Sequence, residues 1–139
     1  LRIFQSNVPT YFAESELTEF VSFLGSPEGE YLVVESAGAV VACGGSYVQN
    51  GVGRLCWGMV ELSRQRASIG STLLARRLDS LLSRTPQVDE ISIDTSQRSS
   101  AFFKRFGFRT QQVNPDGFGQ GLDCVAMTLR RTNSPGRLT

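Results

Sequence analysis

Two stretches of this chain carry residue types that can do chemistry. In the first, residues 55–61 are apolar and bounded by turn residues, the pattern of a buried strand. A short basic loop, 63–67, follows. From Ser68 the pattern turns helical, with Ile69, Leu73, Leu74, Leu78, Leu81 and Leu82 on one face. Strand, tight loop and helix start together make an anion site. The first turn of a helix has unpaired N–H groups and the positive end of the helix dipole. Arg64 and Arg66 add charge, and Ala67, Ser68, Gly70 and Ser71 are small enough to let a phosphate reach the backbone. The second stretch, 94–108, runs from an acidic strand end, Asp94, into a short helix carrying Ala101, Phe102, Phe103 and Phe106 and stopped by Gly107.

Absent residue types narrow the chemistry further. The 139 residues contain no histidine, which removes the commonest general base and metal ligand together. Ser-His-Asp and Cys-His hydrolases are excluded, and no metal is expected. Proton transfer must use carboxylates, hydroxyls, thiols or water. Cys43, Cys56 and Cys124 are scattered and odd in number, each in an apolar segment, as reduced core thiols of a cytoplasmic protein would be. A net charge of +1 argues against nucleic-acid binding by bulk electrostatics. No apolar run approaches the roughly 20 residues of a membrane span, and no signal-peptide pattern opens the chain.

The elements that must position these stretches follow in order. Residues 1–5 read as a short edge strand. Thr10 or Ser15 is placed to cap a helix running to Leu24, with Leu17, Phe20, Val21 and Leu24 as its stripe. Strands at 30–36 and 39–48 are joined by Ala37 and Gly38, and Asn50-Gly51 turns the chain back into the strand ending at Glu61. Gly44-Gly45 inside a strand marks a bulge or a close backbone approach. Pro86 stops the central helix, and the alternation at 88–94 is a strand, so the strand–helix–strand order requires a parallel pair. Thr95 or Ser96 is placed to cap the Phe-rich helix. A strand at 108–113, a long Gly-rich turn at 114–121 and a last strand at 122–129 complete an α+β fold. Its sheet is mixed and mostly antiparallel, with helices on both faces. Residues 1–131 form one domain, and 132–139 a flexible polar tail.

Gln65-Arg66-Ala67-Ser68-Ile69-Gly70 resembles the (Gln/Arg)-x-x-Gly-x-(Gly/Ala) loop of the GNAT superfamily of acyl-CoA-dependent N-acetyltransferases, with Ser68 where the family has Gly. Phe102-Phe103-Lys104-Arg105-Phe106-Gly107-Phe108 resembles the family's second signature, Phe-Tyr-x-x-x-Gly-Phe. Phe103 stands where the family often has the Tyr that protonates the leaving thiolate, and Ser96 where many members have Asn. The two motifs and the strand order span most of the chain.

The resemblance implies acetyl-CoA as co-substrate and direct attack on its thioester by a primary amine of a small molecule or amino acid. It implies a coenzyme site at Met59, Val60, Glu61, Gln65, Arg66, Ala67, Ser68, Ile69, Gly70, Ser71, Ser96 and Phe103. A backbone N–H of the strand carrying Met59, Val60 and Glu61 would hold the thioester oxygen. Glu61 is the first choice for base, directly or through water, with Glu35, Asp94 and Asp123 as rivals. Ser96, Ser100 or water would replace the missing acid. Tyr47, Trp57 and the 116–121 turn would line the acceptor pocket. Arg64, Arg76, Arg77 and Arg84 read as a solvated helix edge, one of them within reach of the coenzyme's terminal phosphate. The alternative is a non-catalytic acyl-CoA-binding or regulatory domain, supported by Phe103 and the missing histidine. A homodimer stays open.

Overall fold

The computed structural model describes residues 1–27, 29–65 and 68–131. Expectations that rest on Glu28, Arg66, Ala67 and the 132–139 tail lie outside the described residues.

Six strands form one sheet in the order β1-β2-β3-β4-β6-β5. They are β1 Glu30–Ser36, β2 Ala39–Gln49, β3 Val52–Val60, β4 Glu90–Thr95, β5 Arg109–Gly119 and β6 Leu122–Arg130. The helices are α1 Arg2–Ser6, α2 Leu17–Gly25, α3 Ile69–Leu82 and α4 Ser100–Arg105, with short 3-10 turns at Glu14–Glu16 and Leu62–Arg64. β3 and β4 pair in parallel because α3 crosses between them, and every other neighbouring pair is antiparallel. The two first hairpins close on tight turns. Ala37 and Gly38 take φ of 51° and 81°, and Asn50 and Gly51 take 53° and 79°. Positive φ at both central residues is the turn whose twist matches that of paired strands.

Helices cover both faces. On one, Ile3 and Phe4 of α1 and Phe20 of α2 pack on Cys43, Trp57 and Met59. On the other, α3 and α4 bring Leu74, Leu78, Leu81 and Phe103 against Leu55, Ile91, Ile93, Val125, Met127 and Leu129. The chain start is a helix, not the expected edge strand. Its buried residues are Ile3, Phe4 and Asn7, one side of a helical turn rather than alternate positions. Phe4 is 1 % exposed and stacks at 5.2 Å on Phe20 and 5.1 Å from Phe12. Phe4→Ala should therefore cost about 3–5 kcal/mol of stability, read from the urea midpoint at constant slope. A cost below about 1 kcal/mol would show that this small helix is not part of the core.

Two other boundaries differ from expectation. The 114–121 stretch is mostly strand, since β5 runs to Gly119 with an irregularity between Asn114 and Gly119. Its tip is tied down. Asp116 accepts from the Gly121 N–H at 2.7 Å, and Gln97 bridges Gly121 O and the Asp123 N–H. Neither Thr95 nor Ser96 is the N-terminal flanking residue of α4. That residue is Ser99, although the Ser96 carbonyl accepts the N–H groups of Ser99 and Ser100. Among the described residues no helix is long and apolar enough to cross a membrane.

Candidate active site

β3 and β4 open the site. They pair only at Gly53–Ile91 and Arg54–Ser92, while β3 stays on β2 as far as Val60 and β4 stays on β6 as far as Thr95. Past Arg54 the two strands diverge, and the edge of β3 from Leu55 to Val60 faces a cleft of about 900 Å³. Strand edges carry unpaired N–H and C=O groups, so a ligand lying here meets backbone donors.

A bulge sets which donors those are. Cys43 pairs with Met59 but Gly45 with Cys56, so β3 holds one extra residue there, and Trp57 takes a φ of 45°. The Tyr31 hydroxyl donates to Trp57 O at 3.0 Å and pins the bulge. Beyond it, the Glu61 N–H donates to Val41 O at 2.8 Å, toward β2. Direction alternates along an antiparallel strand, so the Val60 N–H turns to the opposite edge, into the cleft. The Val60 carbonyl on that edge is already taken, accepting from Asn7 Nδ2 at 2.9 Å and Gln65 Nε2 at 3.4 Å.

The N-terminus of α3 meets the same cleft. Gly70 lies against Val60 Cγ2 and the Phe102 ring, and Ser68, Gly70 and Ser71 line the opening. The N–H groups of Ile69, Gly70 and Ser71 have no acceptor four residues back inside the helix. Ser68 has a φ of 61°, the left-handed region. A backbone that needs positive φ here accounts for the glycine this loop position usually holds, and Ser68 adopts the conformation at a cost of about 1 kcal/mol. Gln65 is committed elsewhere, donating to Asn7 Oδ1 at 3.0 Å. Asn7, 1 % exposed, also donates to Ile3 O and so ties α1 to the end of β3.

The expected site residues fall into two groups. Met59, Val60, Gln65, Ser68, Gly70, Ser71, Ser96 and Phe103 line the cleft. Ile69 starts α3 beside them. Glu61 lies past the end of β3, its carboxylate ion-paired with Arg2 and 4.0 Å from Arg64 Nε, and its N–H used by Val41. Among the described residues the carboxylates that line the cleft are Glu16, Glu19 and Asp94, so of the sequence-derived rivals only Asp94 does so. Ser96 is buried and its Oγ accepts the Arg98 N–H at 3.2 Å. Phe103 packs edge-on to Phe102 and Phe108. Tyr47, Trp57 and Phe118 also line the cleft, with Tyr11 and Phe12.

Sequence reasoning missed two residues. Glu16 is 7 % exposed, and its Oε2 accepts the Ala13 N–H at 2.8 Å. Burial raises its pKa; the Ala13 hydrogen bond opposes this, and the charge of Glu19 adds to the rise. The available signal was its spacing four residues before Phe20, which puts both on one helical face. Arg77, taken for a solvated edge, is 3 % exposed. It follows Leu74 by three and precedes Leu81 by four, inside the apolar stripe. Among the described residues no group of three or more Cys, Asp or Glu comes together as a metal site.

Comparison with known proteins agrees with this architecture. The profile of the acetyltransferase (GNAT) domain matches residues 6–131. A search of curated protein sequences returns no match. Among solved structures, the ribosomal-protein-S18-alanine N-acetyltransferase of Escherichia coli is similar at 20% identity, with a TM-score of 0.69 over 85% of this chain and 81% of that one. An aminoglycoside 6'-N-acetyltransferase complexed with coenzyme A matches at 18% identity and a TM-score of 0.70, over 91% and 85% of the two chains. A GNAT family acetyltransferase from Elizabethkingia anophelis with acetyl-CoA bound matches at 16% identity and 0.69, over 85% of each. At these identities the structures speak for the fold, and the domain profile speaks for the family: the chain belongs to the GNAT acetyltransferases and is an acyltransferase.

Proposed function

We propose that the protein is an N-acetyltransferase that moves the acetyl group of acetyl-CoA to a primary amine of a small molecule or amino acid, by direct attack in a ternary complex. The observation that carries this reading is the divergence of β3 from β4 beside the start of α3, with the Val60 N–H turned into the opening. The coenzyme's diphosphate would sit on the N–H groups of Ile69, Gly70 and Ser71, where the helix dipole favours an anion. Its pantetheine arm would run between the strands, and the thioester oxygen would accept from Val60 as it gains charge. Met59, Ser68, Ser96 and Phe103 would form the walls. The three cysteines form no disulfides, which fits a reducing cytoplasm.

The acceptor would enter between Trp57, Tyr11, Phe12 and Phe118. There Glu16, ahead of Glu61 because it faces the cleft, would take the proton that the substrate ammonium must lose before attack. Phe103 supplies no proton to the departing thiol. That loss is tolerable because a thiol ionises at a pKa of about 8.5, so its anion leaves readily near neutral pH.

The test is release of free thiol from acetyl-CoA against a panel of small primary amines, with calorimetry of coenzyme binding alongside. Amine-dependent release is expected. Binding without release for any amine would favour the second reading, a non-catalytic acyl-CoA-binding domain, for which Phe103 is the supporting residue. No binding at all would remove both.

A further inference from the structure

Arg77 is a charged side chain buried between α3 and the sheet. Its Nε and Nη2 donate to Gly45 O at 3.1 and 3.0 Å, and Nη2 also to Cys56 O at 3.2 Å. Both carbonyls belong to the β2/β3 bulge. Among the described residues no carboxylate forms an ion pair with it. Besides burial, the groups that bear on its charge are Cys56, Tyr31 and Cys43, and burial raises the pKa of Tyr31 and Cys43. Burial pushes the Arg77 pKa down to about 10, so the guanidinium stays protonated at neutral pH. Burying a cation costs stability, and the hydrogen bonds to Gly45 O and Cys56 O offset part of that cost.

Space has been cleared for it. A Cβ on Gly44 would come within 2.9 Å of the guanidinium, and one on Gly58 within 2.6 Å. The same helix face meets Val60 at Gly70 and Gly53 at Leu81, so α3 runs along β3 with the charge under Gly58, two residues before Val60. Arg77 lines the cleft as well. The hydroxyl that the missing phenol would have supplied is replaced in this chain by Phe103.

We infer that Arg77 is a positioning residue whose fixed positive charge, delivered under the bulge, stabilises the negative charge that forms on the thioester oxygen and then on the departing sulfur. This rests on the transfer reading above. In that step the amine nitrogen bonds to the acetyl carbon, and the C–S bond breaks with its electron pair staying on sulfur. One ammonium proton goes to Glu16 before attack, and the second, lost from nitrogen as the neutral amide forms, passes to solvent water. The thiolate leaves as an anion in the field of Arg77 and takes its proton from solvent. A buried charge is screened far less than a surface one, so it acts on the reacting atoms without touching them.

The experiment uses two inert coenzyme A thioethers that differ only in charge, S-carboxymethyl and S-carboxamidomethyl. The wild-type protein should bind the anionic thioether at least about tenfold more tightly than the neutral one, a factor reached by about 1.4 kcal/mol. Arg77→Lys should keep most of that ratio, and Arg77→Met should bring it close to one while binding the neutral thioether as before. The rate of thiol release should fall in Arg77→Met with little change in the KM for acetyl-CoA. Equal affinities in the wild type, or a ratio that survives Arg77→Met, overturns the inference. Should Arg77→Met fail to fold, the wild-type ratio and its retention in Arg77→Lys decide. An intact ratio with no amine-dependent thiol release keeps the charge of Arg77 at the thioester site but removes the transfer reading, and with it the role in transfer inferred here. Failure of both thioethers to bind removes the coenzyme site and this inference with it.

Discussion

Glu16→Gln is expected to lower kcat by about 10²–10⁴-fold, the usual worth of a positioned proton acceptor, with coenzyme affinity changed less than about threefold. The argument is geometric first. Glu16 is the buried carboxylate of the cleft, held by the Ala13 N–H on the side where Trp57 and Phe12 form the wall. Its raised pKa then suits the task. Burial is the main cause, Glu19 adds to it and the hydrogen bond subtracts. A base with a pKa above the ordinary glutamate range takes a proton from an ammonium more readily than an ordinary one. The sign follows. Glu16 acts as the ionised form, so kcat/KM should fall as pH drops through that raised value, and Glu16→Gln should lose this acid limb. Glu61→Gln is the companion measurement. Glu61 is already paired with Arg2 and lies near Arg64, so its replacement should cost at least about tenfold less. The assignment fails if the acid limb persists in Glu16→Gln, and moves to Glu61, or to Glu19 or Asp94, if one of those variants removes it.

What could be read from the chain and what could not divides along sequence distance. The hairpins were legible because Ala37-Gly38 and Asn50-Gly51 are local signals, and both turns have positive φ at both central residues, which Gly38, Asn50 and Gly51 favour and Ala37 adopts at a cost. The parallel pair followed from strand, helix and strand in succession. Gly44-Gly45 pointed to a bulge or a close approach, and both occur: the register shifts there, with the extra residue on β3, and Arg77 packs against Gly44. The small residues at the start of α3 marked an opening that the structure places beside β3. The spacing of Arg77 within the apolar stripe hinted at burial, but what makes room for it is Gly44 on β2 and Gly58 on β3, far from it in sequence. The helix at the chain start was missed because five residues hold too little periodicity to separate period 2 from 3.6. What decided it was long-range: Asn7 bonding the Val60 carbonyl and Phe4 stacking on Phe20. Glu16 looked like an N-terminal helix carboxylate, which it nearly is, but its tertiary surroundings leave it 7 % exposed.

Gly70→Asp is expected to weaken binding of coenzyme A by about 100-fold, near 2.7 kcal/mol, without loosening the fold. At Gly70 a Cβ would meet the Phe102 ring at 3.6 Å and Val60 Cγ2 at 3.7 Å, which is ordinary contact. A methyl therefore fits, and Gly70→Ala should cost less than about tenfold. An aspartate adds a negative charge over the N–H groups of Ile69, Gly70 and Ser71, where the diphosphate is proposed to lie. It both repels the ligand and satisfies the helix end in the ligand's place. Those two effects have opposite signs in two assays. A carboxylate in the first turn of a helix stabilises it by about 0.3–1 kcal/mol, so the melting temperature of the free protein should hold or rise while affinity falls. A misfolded variant would lose both, and steric blockage alone would penalise Gly70→Asn, of nearly the same size, as heavily as the aspartate. If Gly70→Asp binds coenzyme A like the wild type, the anion lies elsewhere and the start of α3 is only a helix end.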